Sequence, residues 1–351
     1  ETVVAIDGQQ RGEFFARIVV IGADTIVFND DEFSIGTEFE AGLDAGFFNN
    51  RVSAELTYFN KTTNDLIIAR PIPPSLGFSS SPLANIGSIL NRGVELAMNI
   101  SAINTRNVRW DIRAGGNTLH NELTSLGTVL PFNIGGGRTL VGQQIGVMVS
   151  KRIESINTTT NVVTVSDTLA PMGNLFPTLE WNFTNTVTLF QNLRLNALLD
   201  SKRDFTIFNN TAFFRETQLV RSNLRLDPTV LSATERLRRY GNPTSGQPAF
   251  VTNKGNAATV NDVRDAFIEK GDFVRLREIS ATYTVPSSLA KRLGGVVDGA
   301  SITFAMQNVK LWSDYSGPDP EVIAQAGAFS REDFLPLPNA RKSVLRFNFT
   351  F

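Results

Sequence analysis

The chain has 351 residues, with 33 Lys and Arg against 34 Asp and Glu, a single His and no Cys. Its near-neutral balance gives no electrostatic case for nucleic acid as a partner. The lack of Cys excludes disulfide scaffolds, thiolate metal sites and cysteine nucleophiles. No apolar run approaches the roughly 18 residues of a membrane-spanning helix, which says nothing against a membrane barrel, whose strands alternate.

Period-2 alternation recurs along the chain and predicts about ten strands. Residues 13–21 form a weak first candidate, apolar on both faces. In 34–47, Ile35, Phe39, Leu43 and Phe47 share one face, and Glu38, Glu40 and Asp44 the other. Segment 51–59 sets Val52, Ala54, Leu56 and Tyr58 against Ser53, Glu55 and Thr57. Segments 92–101 and 108–119 follow, carrying Val94, Leu96, Met98 and Ile100, then Trp110, Ile112 and Ala114. Leu179, Trp181, Phe183 and Val187 oppose Glu180, Asn182, Thr184 and Thr186, and Leu193, Leu195, Ala197 and Leu199 oppose Arg194, Asn196 and Asp200. Ile279, Ala281, Tyr283 and Val285 define the next strand, and Ile302, Phe304 and Met306 the one after. The last, 341–351, places Leu345, Phe347, Phe349 and Phe351 on one face and Val344, Arg346, Asn348 and Thr350 on the other.

The connections alternate in length. Residues 48–50, 102–107 and 191–192 are short, and 286–299 is modest with a helix-like S-S-L-A-K-R-L-G. Residues 62–91, 120–178, 205–271 and 313–341 are long. Strands running up and down would gather the short turns at one end and the long loops at the other, as outer-membrane barrels do. Trp110 falls at the short-turn end, and Trp181 and Trp312 at the long-loop end, the places of interfacial girdles. A chain ending on its most apolar strand is unusual for a soluble domain, because termini fray. Loops of this length are usually functional. Loop 205–271 holds a helix signal, with Asp227 as N-cap, Pro228 at the first position and Gly241 past the end.

Chemistry-bearing motifs are sparse. His120 reads as a solvated strand-end residue. The acidic run 29–32 lacks a calcium-loop pattern and reads as a hairpin tip. Gly135, Gly136, Gly137 and Arg138 lack the G-K-[ST] ending of a phosphate loop. Arg236, Arg238 and Arg239 read as a solvated helix face or a contact with an anionic lipid or partner. Glu38 and Glu40 read as polar lining. No catalytic residue, metal or cofactor is assigned, and the chain is not read as an enzyme.

Six local motifs, taken together, resemble the SusC/RagA family of TonB-dependent outer-membrane transporters. They are E-A-G-L-D-A-G-F-F-N-N-R-V-S-A-E-L-T-Y-F-N-K-T-T-N-D-L-I (40–67), N-I-G (85–87), N-R-G-V-E-L (91–96), G-D-F-V-R-L-R-E-I-S-A-T-Y (271–283), S-G-P-D-P-E-V (316–322) and F-L-P-L-P-N-A-R (334–341). Pro318 stands where the family usually has an aromatic.

The resemblance implies an all-β transmembrane barrel of about 22 strands with a plugged lumen. Residues 1–351 would be its C-terminal portion, without the plug domain and TonB box. It implies TonB-energised import of oligosaccharide or peptide in the bacterial outer membrane. The implied partners are a SusD/RagB-like surface lipoprotein, the TonB complex, the barrel-assembly machinery and the lipid membrane. Leu345, Phe347, Phe349 and Phe351 would present the insertion signal. Ligand contacts are expected on the long loops, with Tyr240, Phe250, Tyr315 and Phe329 as stacking candidates. The alternatives are a passive porin or adhesin-type barrel and, third, a secreted all-β binding module.

Overall fold

Strands joined by short turns pair with their sequence neighbours, because closing a short loop costs little chain entropy. The computed structural model follows that rule. It describes residues 2–8, 14–29, 32–70, 72, 75, 81–219, 231–244, 246–290, 297–322 and 329–350. Asp30, Asp31, Asp227, Pro228 and Phe351 lie outside the described residues, as do several residues of loop 62–91.

The main sheet contains β1 (Thr2–Gly8), β2 (Phe14–Asn29), β3 (Glu32–Phe47), β4 (Val52–Asn64), β5 (Ser88–Asn104), β6 (Val108–Ser125), β7 (Leu179–Leu189), β8 (Leu193–Arg203), β9 (Phe273–Val285), β10 (Gly299–Ser313) and β11 (Lys342–Thr350). Their spatial order is their chain order, and every neighbouring pair is antiparallel. The result is an up-and-down meander with no crossover.

Ten of the eleven strands contain the alternating segments read from the sequence, and β1 is an addition. Its core, V-V-A-I, is a continuous apolar run without period 2. Strands β5 and β6 also run past the predicted segments at the long-loop end. There the outward positions become polar (Arg92, His120, Glu122), which hides the alternation but leaves the ladder intact. The length alternation holds from β3 onward. Only two residues separate β2 from β3 at the long-loop end.

β-bulges re-aim side chains where they occur. The consequential one lies in β9. Leu198 pairs with Glu278 and Leu199 with Leu276, leaving Arg277 as the extra residue. Below it Ile279, Ala281 and Tyr283 share the face of Leu195 and Phe304; above it Leu276 and Val274 take that face. The bulge therefore turns Phe273, Arg275 and Arg277 inward together.

The long connections fold into a layer at one end of the sheet. Strands Ile153–Asn157, Val162–Val165, Phe250–Thr252 and Ala257–Ala258 form one small sheet that joins loop 126–178 to loop 204–272. Strands Ile268–Lys270, Thr206–Asn209 and Glu332–Asp333 form another that joins loop 204–272 to loop 314–341. Each carries its own core. Val163, Val165, Leu237, Phe250 and Val263 pack in the first, and Phe205, Ile207, Phe273 and Tyr315 beneath the second.

Among the described residues two α-helices lie in this layer. α1 (Asn210–Phe214) follows the strand Thr206–Asn209, and α2 (Ala233–Tyr240) packs Leu237 into the first core. The N-cap of α2 is Ser232, not Asp227 as the sequence suggested. Ser232 Oγ accepts from the Glu235 amide at 3.2 Å, as an S-x-x-E box requires. The predicted C-terminal stop holds, with Gly241 at φ 72°. Among the described residues no helix is long and apolar enough to cross a membrane.

Candidate functional site

The cross-strand register decides what each face of the wall offers. On one face Leu345 pairs with Phe304, Phe304 with Ala281, Ala281 with Leu195, Leu195 with Val187, and Val187 with Trp110. Further rows join Phe347, Ile302, Tyr283 and Leu193, and join Leu43, Leu56 and Leu96. Phe304 is 46% exposed, Leu345 59%, Phe347 54% and Phe349 54%. So broad an exposed apolar surface needs an apolar neighbour, since soluble monomers rarely show patches beyond a few hundred Å². The one amide in the row above Trp110 is satisfied: the Trp110 indole donates to Asn185 Oδ1 at 2.7 Å.

The opposite face is polar and concave. Thr188, Arg194, Thr282, Thr303 and Arg346 form one row, and Ser101, Asp111, Thr186, Asn196 and Ser280 another. Hydroxyls and amides bond across the strands. Thr186 donates to Asn196 Oδ1 at 2.9 Å, Thr282 and Thr303 share a 2.9 Å hydroxyl bond, and Lys61 meets Glu38 at 3.0 Å. A cavity of about 630 Å³ opens on this face near the short-turn end, between Arg51, Arg113, Thr186 and Arg194.

At the long-loop end, two of the sequence motifs meet. Arg275 and Arg277, from G-D-F-V-R-L-R-E, face Asp319 and Glu321, from S-G-P-D-P-E-V. Arg275 Nη2 lies 2.5 Å from Asp319 Oδ1, and both side chains are 3% exposed. Arg277 holds Asp200 with two 2.7 Å bonds and also grips Glu321. Asn339 donates to Asp319 Oδ2 at 3.2 Å, tying in the F-L-P-L-P-N-A-R segment. The bulge at Arg277 makes this possible, because an unbroken strand in phase with Ile279 and Ala281 would send both arginines outward.

A second knot joins the loops to each other. Asp333 is fully buried and accepts from the Tyr315 hydroxyl and from the Thr211 amide at 3.1 Å. Glu269 accepts from Asn209 at 2.9 Å, the Ser316 amide at 2.8 Å and the Ser316 hydroxyl at 2.7 Å. Burial, the hydrogen bond to Asp333 and the nearby carboxylates push the Tyr315 phenol well above its ordinary range. A Cβ on Gly317 would stand 2.4 Å from the Tyr315 ring and 2.6 Å from Asp333 Oδ2, so only glycine fits that approach. Arg331 lies over the Phe205 ring at 4.6 Å, and burial lowers its pKa against the pull of Glu180 and Glu321.

The four stacking candidates are not brought together. Phe250 is fully buried in a loop core, and Tyr315 is buried with its hydroxyl on Asp333. Tyr240 is half-buried and donates to Glu216 Oε2 at 3.0 Å. Phe329 is half-buried, edge-on to Phe176, and its carbonyl accepts from Gly136 at 2.7 Å. Thus the Gly135–Gly137 stretch is a packing element beneath loop 314–341. Arg239 is a tie within the loop layer. It bonds Glu235 at 2.6 Å and Glu216 at 2.8 and 3.0 Å, and these bonds outweigh burial to raise its pKa. His120 is half exposed at the upper end of β6, 3.1 Å from Glu122. Of the terminal apolar residues, Leu345, Phe347 and Phe349 lie on the outward apolar face.

Sequence reasoning missed the carboxylates Asp319, Asp333 and Glu269. Asp319 was legible only as part of S-G-P-D-P-E-V, and Asp333 and Glu269 only as acidic loop residues, which composition alone cannot distinguish from solvated ones.

A family model described as TonB dependent receptor-like, beta-barrel, matches residues 34–309. TonB-dependent receptor P26 of Formosa agariphila is 25% identical over 357 residues, covering 89% of this chain and 34% of that protein. TonB-dependent receptor SusC of Bacteroides thetaiotaomicron is 36% identical over 90 residues, 26% of this chain and 9% of that protein. The chain thus spans about a third of the length of the curated relatives that it matches along most of its extent. Among solved structures, the RagAB peptide transporter matches with a TM-score of 0.72 at 21% identity, covering 96% of this chain and 40% of that one. The RagAB peptide importer in its closed-closed state gives 0.74 at 20% identity, covering 97% and 42%. The strand order, the two-faced wall and the matched span agree: this chain belongs to the TonB-dependent receptor-like β-barrel family.

Proposed function

We propose that this chain forms part of the wall and outer loop layer of a TonB-dependent importer in the bacterial outer membrane, taking up an oligosaccharide or peptide. The observation that carries this reading is the pairing of a lipid-compatible outer face with a polar concave inner face on one meander, with the long loops knit together at one end. Membrane barrels need that arrangement, because the bilayer accepts only apolar side chains and paired backbone.

Residues 1–351 would be the C-terminal portion of a longer protein. The remaining polypeptide would supply the plug and the contact with the TonB complex. A SusD/RagB-like surface lipoprotein would cover the loop layer. Leu345, Phe347, Phe349 and Phe351 would be read by the barrel-assembly machinery. Tyr240 and Phe329, the half-buried members of the four aromatic candidates, are the better placed for cargo. The reading assigns the chain no enzymatic step. Its loop layer supports capture: ion pairs and small cores hold the loops to the wall, so a cargo surface there is preorganised rather than assembled on binding.

The test is uptake by cells expressing the intact protein that contains this chain. Fluorescent oligosaccharide and peptide pools are supplied, with TonB present or depleted. The reading expects uptake of one pool class that is lost with TonB. Uptake that persists without TonB would instead make the protein a passive porin.

A further inference from the structure

The inner face of the wall segregates its charge. Glu38, Glu40, Asp44, Glu55 and Glu95 lie on β3 to β5, with Lys61 bridging Glu38. Arg51, Arg109, Arg113 and Arg194 line the cavity of about 630 Å³ near the short-turn end, facing one carboxylate, Asp111. Asp111 is occupied by Arg109 at 2.7 Å. The side chains of Arg51, Arg113 and Arg194 make no hydrogen bond or ion pair with any described residue.

Between these guanidiniums run Thr184, Thr186 and Thr188, neutral hydroxyls that can bond a hydrated ligand. Three uncommitted guanidiniums on one concave surface are costly to bring together unless an anion shares them. Arginine forks match carboxylate and sulfate oxygens in bidentate fashion. Arginine-lined constrictions select anions in pores, and charged clefts of one sign concentrate counter-ions.

We infer that Arg51, Arg113 and Arg194 form an oxyanion site on the lumen wall that engages carboxylate or sulfate groups of the cargo near the exit end. This rests on the importer reading above and narrows its cargo to acidic oligosaccharides or peptides. Partial occupancy by hydroxyl contacts suits passage, since a transit site must release what it binds.

The test measures local charge with thiol reagents of opposite sign on the intact protein in outer-membrane vesicles, any other cysteines having been replaced. Thr186→Cys reports the basic cavity, and Thr57→Cys reports the acidic side beside Glu55 and Glu95. Each is treated with sulfonatoethyl and with trimethylammonioethyl methanethiosulfonate. The expected result at Thr186→Cys is a rate at least about tenfold higher for the sulfonate than for the cation, corrected for their intrinsic reactivities. Adding Arg113→Gln and Arg194→Gln should bring that ratio near unity, and a tetragalacturonate probe should slow the sulfonate reaction.

Equal rates at Thr186→Cys would overturn the oxyanion site. So would an inert Thr186→Cys beside a reactive Thr57→Cys, because the cavity would then be filled by another part of the protein, with the importer reading intact. If neither position reacts with either reagent, the inner face is filled along its length and the oxyanion site is overturned, while the importer reading stands or falls on the separate uptake measurement with TonB depleted.

Discussion

At the scale of single residues, the loop layer depends on a few buried acid–base contacts. Removing one partner of such a pair is costly because the other stays desolvated and charged. Tyr315 is a clean case, since Tyr315→Phe keeps the ring in its core and deletes only the bond to Asp333. It should destabilise docking of loop 314–341 by about 1.5–3 kcal/mol, read as faster protease cleavage of that loop in the folded protein. An unchanged cleavage rate would mean the knot contributes nothing. The pH dependence has a definite sign. Folding raises the Tyr315 pKa, so its contribution is complete below the ordinary phenol pKa of about 10 and is lost as pH rises beyond it. Cleavage of the native protein should therefore accelerate above about pH 10, and Tyr315→Phe should blunt that rise.

The same scale shows what the sequence conceals. Phe250 and Tyr315 look like loop aromatics free to stack on a ligand, yet both fill small cores. Partners such as Val163 and Phe205 come from distant segments, and no local pattern announces a core assembled from two separate loops. The paired arginines of R-L-R-E were legible as a motif. Their carboxylate partners, 44 residues later in S-G-P-D-P-E-V, were legible as a motif too, but the pairing of the two motifs was not.

At the scale of elements, alternation carried the reading. Wherever one face meets lipid and the other water, period 2 survives in the sequence, as in β7, β8 and β10. It fails where both faces are alike, as in β1, and where a bulge inserts Arg277. It also fades where β5 and β6 extend above the apolar belt. Register then sets depth. Leu195 lies level with Trp110, and Ser201 level with Trp181, six residues on. At about 3.3 Å per residue these girdles are roughly 20 Å apart along the strand, which suits an apolar band. Leu199→Arg, facing outward between the girdles, should cost about 2–4 kcal/mol, and Leu195→Arg about 0–1. Asn196→Arg, on the inner face, should be mild. The check is the folded, heat-modifiable fraction of each variant in the outer membrane. Equal damage from Asn196→Arg and Leu199→Arg would show that the faces are misassigned.

At the scale of the whole molecule, the architecture is one two-sided wall capped by a loop layer. A meander with neighbours paired throughout needs no long-range crossover, so its topology follows from local hairpins. That is why the strand order was readable from connection lengths alone. The loop layer is the opposite case: its parallel pairings, Val165 with Thr252 and Phe208 with Glu332, join segments far apart in sequence. The function proposed above depends on both parts, yet the wall is the part on which the rest stands.

The most direct measurement is spin-label accessibility at Thr303→Cys and Phe304→Cys, adjacent residues of β10, in the intact protein in outer-membrane vesicles. Collision with lipid-soluble oxygen should dominate at Phe304→Cys, and collision with a water-soluble nickel chelate at Thr303→Cys. High chelate access at both positions, or the reverse order, would contradict a wall with lipid on one side and a polar lumen on the other.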